Sequence, residues 1–324
     1  MESLSFKGWL PIRIWQEQQQ WWVDWCWFGQ QRLHQPFFRD EVDDALRLPF
    51  NQALRRVTPL SALSDWQQAS PGLAPTAFIH HASRCGSTLI GQMLARLDTH
   101  IVISEPPPLD TLLRSVMPAR QREAAIQGLL SAYGQVRSGR ETALVIKLDA
   151  WNIVEFALLH GSFPDVPWLY LYRDPLEIAV SHLRRAGVHM VPGMLGAAHL
   201  DGIQPFVSCE DDMARRLGLL LQAGLQHCAA SGGLALNYSE LPQAMGGRLA
   251  AMFGLDEAAI GRAFTAIGVH AKTPSQAFVA DGQAKQREAS PLLRERIEHW
   301  ASAAYAGLEA LRLSAQAQPL LEDQ

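Results

Sequence analysis

The stretch Thr76-Ala-Phe-Ile-His-His-Ala-Ser-Arg-Cys-Gly-Ser-Thr-Leu-Ile-Gly-Gln-Met-Leu-Ala95 decides how the fold is read. It opens with a β-branched and aromatic run, Thr76 to Ile79, that reads as a strand. A loop of small residues follows, Ala82 to Gly86, and then a helical pattern with Leu89, Met93, Leu94 and Leu97 on one face. Strand, tight loop and helix N-terminus together make a phosphate cradle. The first helical turn leaves amides unpaired, its dipole favours an anion, and Gly86 lets that anion come close. Ser83, Arg84, Cys85, Gly86, Ser87 and Thr88 are therefore the candidate anion-binding residues. The loop is not a Walker A motif, which needs Gly-x-x-x-x-Gly-Lys-Ser/Thr. His81 stands at the first glycine and Ser87 replaces the lysine. A donor whose phosphates need no magnesium suits this variant better. An ordinary strand–helix turn would carry a similar sequence.

Totals narrow the class. The 324 residues suffice for one large domain, or for one domain with an appendage. At 48% hydrophobic and 19% charged, the composition fits a globular chain with a sizeable core. A net charge of −4, with Lys and Arg scattered, does not suggest a nucleic-acid surface. Cys26, Cys85, Cys209 and Cys228 lack zinc-ligand spacing, and no metal site is expected. No signal peptide and no apolar run of about 18 residues is legible, so a soluble cytoplasmic protein is expected.

Seven of the ten tryptophans (Trp9, Trp15, Trp21, Trp22, Trp25, Trp27, Trp66) lie in residues 1–72. This segment reads as an aromatic-cored appendage. A recognition surface for an acceptor or a partner protein is the second reading, since tryptophan anchors interfaces. Pro71-Gly72 and Pro75 mark the join to a main domain over residues 73–324. In that domain strand patterns at 76–81, 100–103, 143–147, 167–172 and 233–237 alternate with helical ones at 87–97, 151–160, 175–186, 210–230, 240–252, 256–266 and 290–313. Short apolar strands between amphipathic helices predict an α/β fold, a central parallel sheet flanked by helices. Ligands of such sheets bind at the carboxyl ends of the strands.

Polar residues stand at those ends. Glu105 follows the second strand in Ser104-Glu-Pro-Pro-Pro108, where a carboxylate can take a proton from an attacking hydroxyl. A solvated glutamate in a proline-rich turn would read the same way. Lys147 closes the third strand, where a cation stabilises charge on a leaving group; a pair with Asp149 is its bland reading. Tyr172-Arg-Asp-Pro175 closes the fourth and leads into a helix carrying Ser181. Arg173 and Ser181 are candidates for a second phosphate, and Asp174-Pro175 also reads as a helix start. His80 and His81 read as packing residues beside the loop. Cys85 stands at a helix N-terminus but has no catalytic partner order around it.

The order Ser-Arg-Cys-Gly-Ser-Thr-Leu, Ser-Glu-Pro, Ile-Lys, then Tyr-Arg-Asp-Pro with Ser181 resembles PAPS-dependent sulfotransferases. Among these it looks most like the tyrosylprotein sulfotransferases and their bacterial relatives. The resemblance covers residues 76–313 and implies a P-loop-type fold and PAPS as co-substrate, without a metal. It implies that residues 83–88 bind the 5′-phosphosulfate end and that Arg173 and Ser181 bind the 3′-phosphate. It also implies Glu105 as base, with Arg84 and Lys147 as catalytic cations. Leu234-Ala-Leu-Asn-Tyr238-Ser-Glu-Leu241 resembles the family's Tyr-Glu-x-Leu strand end, with Ser239 inserted, and makes Tyr238 a donor contact. The segment Lys272 to Ser290 resembles one that closes over the nucleotide, with Lys285 and Arg287 toward the 3′-phosphate.

The expected activity is sulfuryl transfer to an acceptor hydroxyl of a peptide tyrosine, a carbohydrate or a small phenol. A P-loop nucleotide kinase or NTPase, and a non-catalytic binding protein that keeps the fold, are the other two readings. No nucleic-acid or membrane partner is expected.

Overall fold

The computed structural model describes residues 5–195, 206–266, 269–270, 273–277 and 282–317. Strands β1 (Trp9–Glu17) and β2 (Gln20–Trp27) form an antiparallel hairpin. Its two-residue turn holds Gln18 and Gln19 in left-handed backbone, with φ of +48° and +64°. That is the backbone a tight hairpin requires, although glutamine rather than Asn-Gly supplies it. Helices α1 (Phe38–Leu46) and α2 (Pro49–Ala53) follow. Strand β3 (Arg56–Pro59) then adds to β2, and α3 (Ala62–Ala69) ends the segment.

The main sheet begins with β4 (Pro75–His81), α4 (Ser87–Ala95) and β5 (His100–Ser104). Helices α5 (Pro107–Leu113) and α6 (Ala119–Tyr133) lead to β6 (Ala143–Lys147). Then come α7 (Phe156–Ser162), β7 (Trp168–Tyr172), α8 (Pro175–Arg184), α9 (Cys209–Ser231) and β8 (Leu234–Asn237). The order is β5-β6-β4-β7-β8, a five-stranded parallel sheet flanked by helices, as the sequence pattern predicts. Strands β5 and β7 are buried at every position, which is why they read as unbroken apolar runs. Because β4 neighbours β7, the connections of these two strands leave in opposite directions.

Helices α10 (Arg248–Met252) and α11 (Glu257–Phe264) precede the short strands β9 (Val269–His270) and β10 (Thr273–Ala277). Helices α12 (Gly282–Glu288), α13 (Pro291–Trp300) and α14 (Ser302–Ala317) complete the described chain.

The element boundaries depart from the sequence reading in several places. The proline run after Glu105 is not an extended turn; Pro107 opens α5, where its missing N–H costs nothing. Helix α6 has no counterpart in the sequence reading, and its apolar positions are buried mainly in its second half. The helix expected over 290–313 breaks at Ala301. The one expected over 240–252 is mostly 3-10 turns, interrupted by Pro242 and Gly247 before α10.

Two compact units partition the chain. The first comprises residues up to Ile79, Thr88–Pro167 and Pro242–Ala277. The second comprises His80–Ser87, Trp168–Leu241 and the chain from Phe278 onward. The division does not follow chain order, and residues 73–79 share the first unit with the tryptophan-rich segment.

In the first unit that segment is cored by its aromatics. Trp25 is fully buried, stacks on Phe6 with ring centroids 4.1 Å apart, and donates its indole N–H to Thr58 Oγ1 at 2.9 Å. Tyr133 of α6 donates its hydroxyl to Pro11 O of β1 at 3.1 Å, and its ring meets Phe38 edge-on at 5.2 Å. Helix α6 also packs on α3 at Gly128, where an added Cβ would lie 2.8 Å from the Leu63 carbonyl carbon. Gly128→Ala is therefore expected to destabilise the protein by about 1–3 kcal/mol through overpacking, read as a lowered midpoint in urea unfolding.

Candidate functional site

The candidate residues divide between the units, and each set stands at strand ends. In the second unit the loop after β4 is built on left-handed backbone. Ser83, Arg84 and Gly86 have φ of +68°, +48° and +92°. Only the last is a glycine, so the first two store strain that their neighbours must hold. Ala82 N–H donates to Leu171 O of β7 at 2.9 Å, and Ser83 N–H donates to His81 Nδ1 at 3.1 Å. Arg84 donates from its guanidinium to Arg185 O, at the end of α8, at 2.9 Å.

Tyr238 lies under this loop. A Cβ on Gly86 would meet the Tyr238 ring at 2.7 Å, so glycine is needed here for space as well as for φ. The Arg173 guanidinium stacks on the same ring, 4.4 Å from its centroid. Tyr238 and Ser239 lie in a 3-10 turn capped by Asn237, whose Oδ1 accepts Ser239 N–H at 2.9 Å.

Arg173 is buried and its Nε donates to Glu177 Oε2 at 2.5 Å, a carboxylate one turn into α8. Asp174 caps that helix, accepting Leu176 and Glu177 amides at 2.9 and 3.2 Å. Ser181 is one turn further and donates its hydroxyl to Glu177 O at 2.8 Å. Lys285 lies in α12 rather than in a loop and is buried, whereas Arg287 is exposed. Helix α12 packs on α8, so Lys285 shares the helix pair that carries Arg173's partner. Residues 271–272 and 278–281 of the segment expected to close over a nucleotide lie outside the described residues.

The Cys85 side chain is fully buried and its thiol donates to Leu171 O at 3.2 Å, so the residue faces the loop's interior and offers a ligand its backbone only.

In the first unit, β5 and β6 pair with Ser104 opposite Lys147. Glu105 therefore leaves its strand beside Lys147, and its amide donates to Lys147 O at 2.7 Å. Its φ is +52°, a third strained non-glycine among the candidate residues. The Lys147 ammonium is fully buried and forms an ion pair with the Glu105 carboxylate. A buried ammonium requires such a partner. Asp149 is not that partner. The Phe37 ring, from the tryptophan-rich segment, faces the ammonium with its centroid 5.2 Å from Nζ. Thr88 and Ser87, at the start of α4, are both buried.

Asp110 and Glu177 escaped the sequence reading because no local motif marks them. Asp110 of α5 accepts the Trp151 indole N–H at 2.6 Å, Asn152 Nδ2 at 2.8 Å and the Arg114 guanidinium at 2.6 Å. Glu177 was hidden in an ordinary first helical turn. The Asp149 carboxyl is held well above the usual carboxylate range, first by burial and then by the Glu105 and Asp110 charges; Lys147 and Arg114 oppose this. Among the described residues no three His, Cys, Asp or Glu side chains are grouped to hold a metal ion. No described helix is long and apolar enough to cross a membrane.

No family model and no curated protein matches this chain. Among solved structures it is similar to the sulfotransferase domain from the curacin biosynthetic pathway. The two share 14% identity over 76% of this chain and 98% of that one, with a TM-score of 0.41.

The raised folded value of Asp149 fixes a sign. Between the ordinary carboxylate range and that value the folded state holds a proton that the unfolded state has lost. Stability is thus greatest below the range and falls as pH rises through it, by up to about 1.4 kcal/mol per pH unit for one site. Asp149→Asn is expected to flatten this fall, measured as urea midpoints across a pH series.

Proposed function

We propose that the protein transfers a sulfuryl group from PAPS to an acceptor hydroxyl. The observation that carries this reading is the stack of Gly86, Tyr238 and Arg173. It sets a buried guanidinium beside an anion-binding loop that has serine where a Walker lysine would stand. Such a pairing suits a nucleotide with a second phosphate and without magnesium better than it suits Mg-ATP. The residues suit such a donor: the loop is left-handed at Ser83, Arg84 and Gly86, and glycine at 86 makes room for the Tyr238 ring on which Arg173 stacks. The donor supplies an activated sulfuryl group on a phosphate that leaves as adenosine 3′,5′-bisphosphate.

The chain's own residues then divide the work. Amides from Gly86 to Thr88, with Arg84, bind the 5′ end. Arg173, oriented by Glu177, binds the 3′-phosphate with Ser181 and Lys285, and Tyr238 supports both. Glu105 takes the acceptor's proton, and Lys147 both orients that carboxylate and stabilises the negative charge that develops on the leaving phosphate. Proton removal by a positioned base contributes roughly 10²–10⁴ in rate. The acceptor's class is a hydroxyl on a peptide tyrosine, a carbohydrate or a small phenol.

Glu105→Gln is expected to lower turnover by about that factor while leaving donor binding within about twofold. Transfer of labelled sulfate to a phenolic and a carbohydrate acceptor panel reads the first, and calorimetry reads the second. Unchanged turnover removes Glu105 from the mechanism. Calorimetry also tests the donor. Adenosine 3′,5′-bisphosphate is expected to bind tighter than AMP or Mg-ATP, and Arg173→Ala to abolish that preference. Equal or tighter binding of Mg-ATP would sink the proposal in favour of phosphoryl transfer. Binding of neither nucleotide would favour a non-catalytic scaffold.

A further inference from the structure

The loop of the second unit holds two non-glycine residues in left-handed backbone, and local sequence does not account for that. Each such residue is strained and persists only where its surroundings over-determine it. The His81 ring and Leu171 carbonyl fix the entry to the loop through Ser83 N–H and Ala82 N–H. Neither holds the Ser83 side chain. That role falls to His182, a fully buried histidine 99 positions along the chain, whose Nε2 lies 3.1 Å from Ser83 Oγ.

The tautomer of His182 follows from its other nitrogen. Gly187 N–H points at Nδ1, 3.1 Å away, so Nδ1 accepts and the ring hydrogen resides on Nε2. The hydrogen bond to Ser83 therefore runs from ring to hydroxyl. Ring position is fixed as firmly as tautomer. The His189 ring meets it edge-on, with centroids 5.2 Å apart and planes at 89°. A Cβ on Gly187 would lie 2.8 Å from His189 Cε1 and 3.1 Å from His182 Cε1, so the turn closes tightly on both rings. His189 is held in turn by its carbonyl, which accepts from Arg216 at 3.4 Å. That arginine is itself locked to Asp212 in the buried charge cluster of α9.

We propose that His182 is the positioning residue of the anion-binding loop. Its Nε2–H holds Ser83 Oγ, keeps Ser83 and Arg84 left-handed, and so aims the amides of the loop at the donor. The same helix, α8, carries Glu177 and Ser181, and its end accepts Arg84. One hydrogen bond thereby registers the two phosphate-binding elements of this unit against each other. The inference rests on the anion-binding reading of the loop and not on the identity of the group transferred.

Three single variants, the double variant His182→Phe with Ser83→Ala, and two readouts test it. His182→Phe keeps a ring of similar size and removes the donor. His182→Gln returns an N–H near the Nε2 position. Ser83→Ala removes the acceptor. Calorimetric titration with adenosine 3′,5′-bisphosphate is expected to show about tenfold weaker binding for His182→Phe and Ser83→Ala. His182→Gln should recover most of the loss, and the double variant should be no weaker than either single one. In the ligand-free protein, backbone carbon shifts of Ser83 and Arg84 should leave the left-handed range in His182→Phe and return in His182→Gln. Wild-type affinity in His182→Phe, or additive losses in the double variant, overturns the proposal. If the wild type binds no bisphosphate, the sulfotransferase reading fails on its own. The backbone shifts then decide the inference: shifts unchanged in His182→Phe overturn it, and shifts lost in Phe and restored in Gln uphold it.

Discussion

Strained backbone at a strand end is the constraint around which the site is arranged. Ser83, Arg84 and Glu105 all sit at positive φ immediately after parallel strands, where the chain must turn sharply and still present polar groups. An isolated loop would relax out of such conformations. Here the second unit fixes its turn through the Leu171 carbonyl, the His182 ring and the Tyr238 ring beneath Gly86. The first unit fixes its own turn through the backbone bond from Glu105 to Lys147. Each turn is thus held by contacts between groups distant in sequence, which turn a costly local geometry into a pre-organised one.

Charge burial is the second constraint. Lys147 is buried to zero exposure and Arg173 to 7%, and each has one carboxylate in contact. A lone buried cation would shift toward its neutral form or draw in water; a cation already matched to a carboxylate stays charged and oriented. The carboxylates differ in consequence. Glu177 is spent on orienting its arginine, whereas Glu105 lies at the less buried end of its pair, where a hydroxyl can reach it.

Much of this was legible in the sequence, for a physical reason. Parallel strands buried on both faces must be short apolar runs, so the five strands show themselves within a residue or two. Residues at their carboxyl ends can be picked out once the strands are known, which is how Arg84, Glu105, Lys147 and Arg173 were reached; Tyr238 came from the resemblance alone. Helix α6 was missed because half of it is polar and only its C-terminal half is buried. The β1–β2 hairpin was missed because glutamines occupy a turn whose usual signal is Asn-Gly. The direction of the Cys85 thiol, toward Leu171 of β7, was not legible because it depends on which strand neighbours β4.

The sequence by itself determined the alternation of strands and helices and the polar residue that closes each strand. Both follow from local periodicity and from which residues tolerate burial. Tertiary structure alone decided the partners: Lys147 with Glu105 rather than Asp149, Arg173 on Tyr238, Ser83 under His182, and Phe37 against a lysine 110 positions away. Such pairings depend on strand order and register, which bring together residues far apart in the chain. No local pattern of amino acids encodes that order.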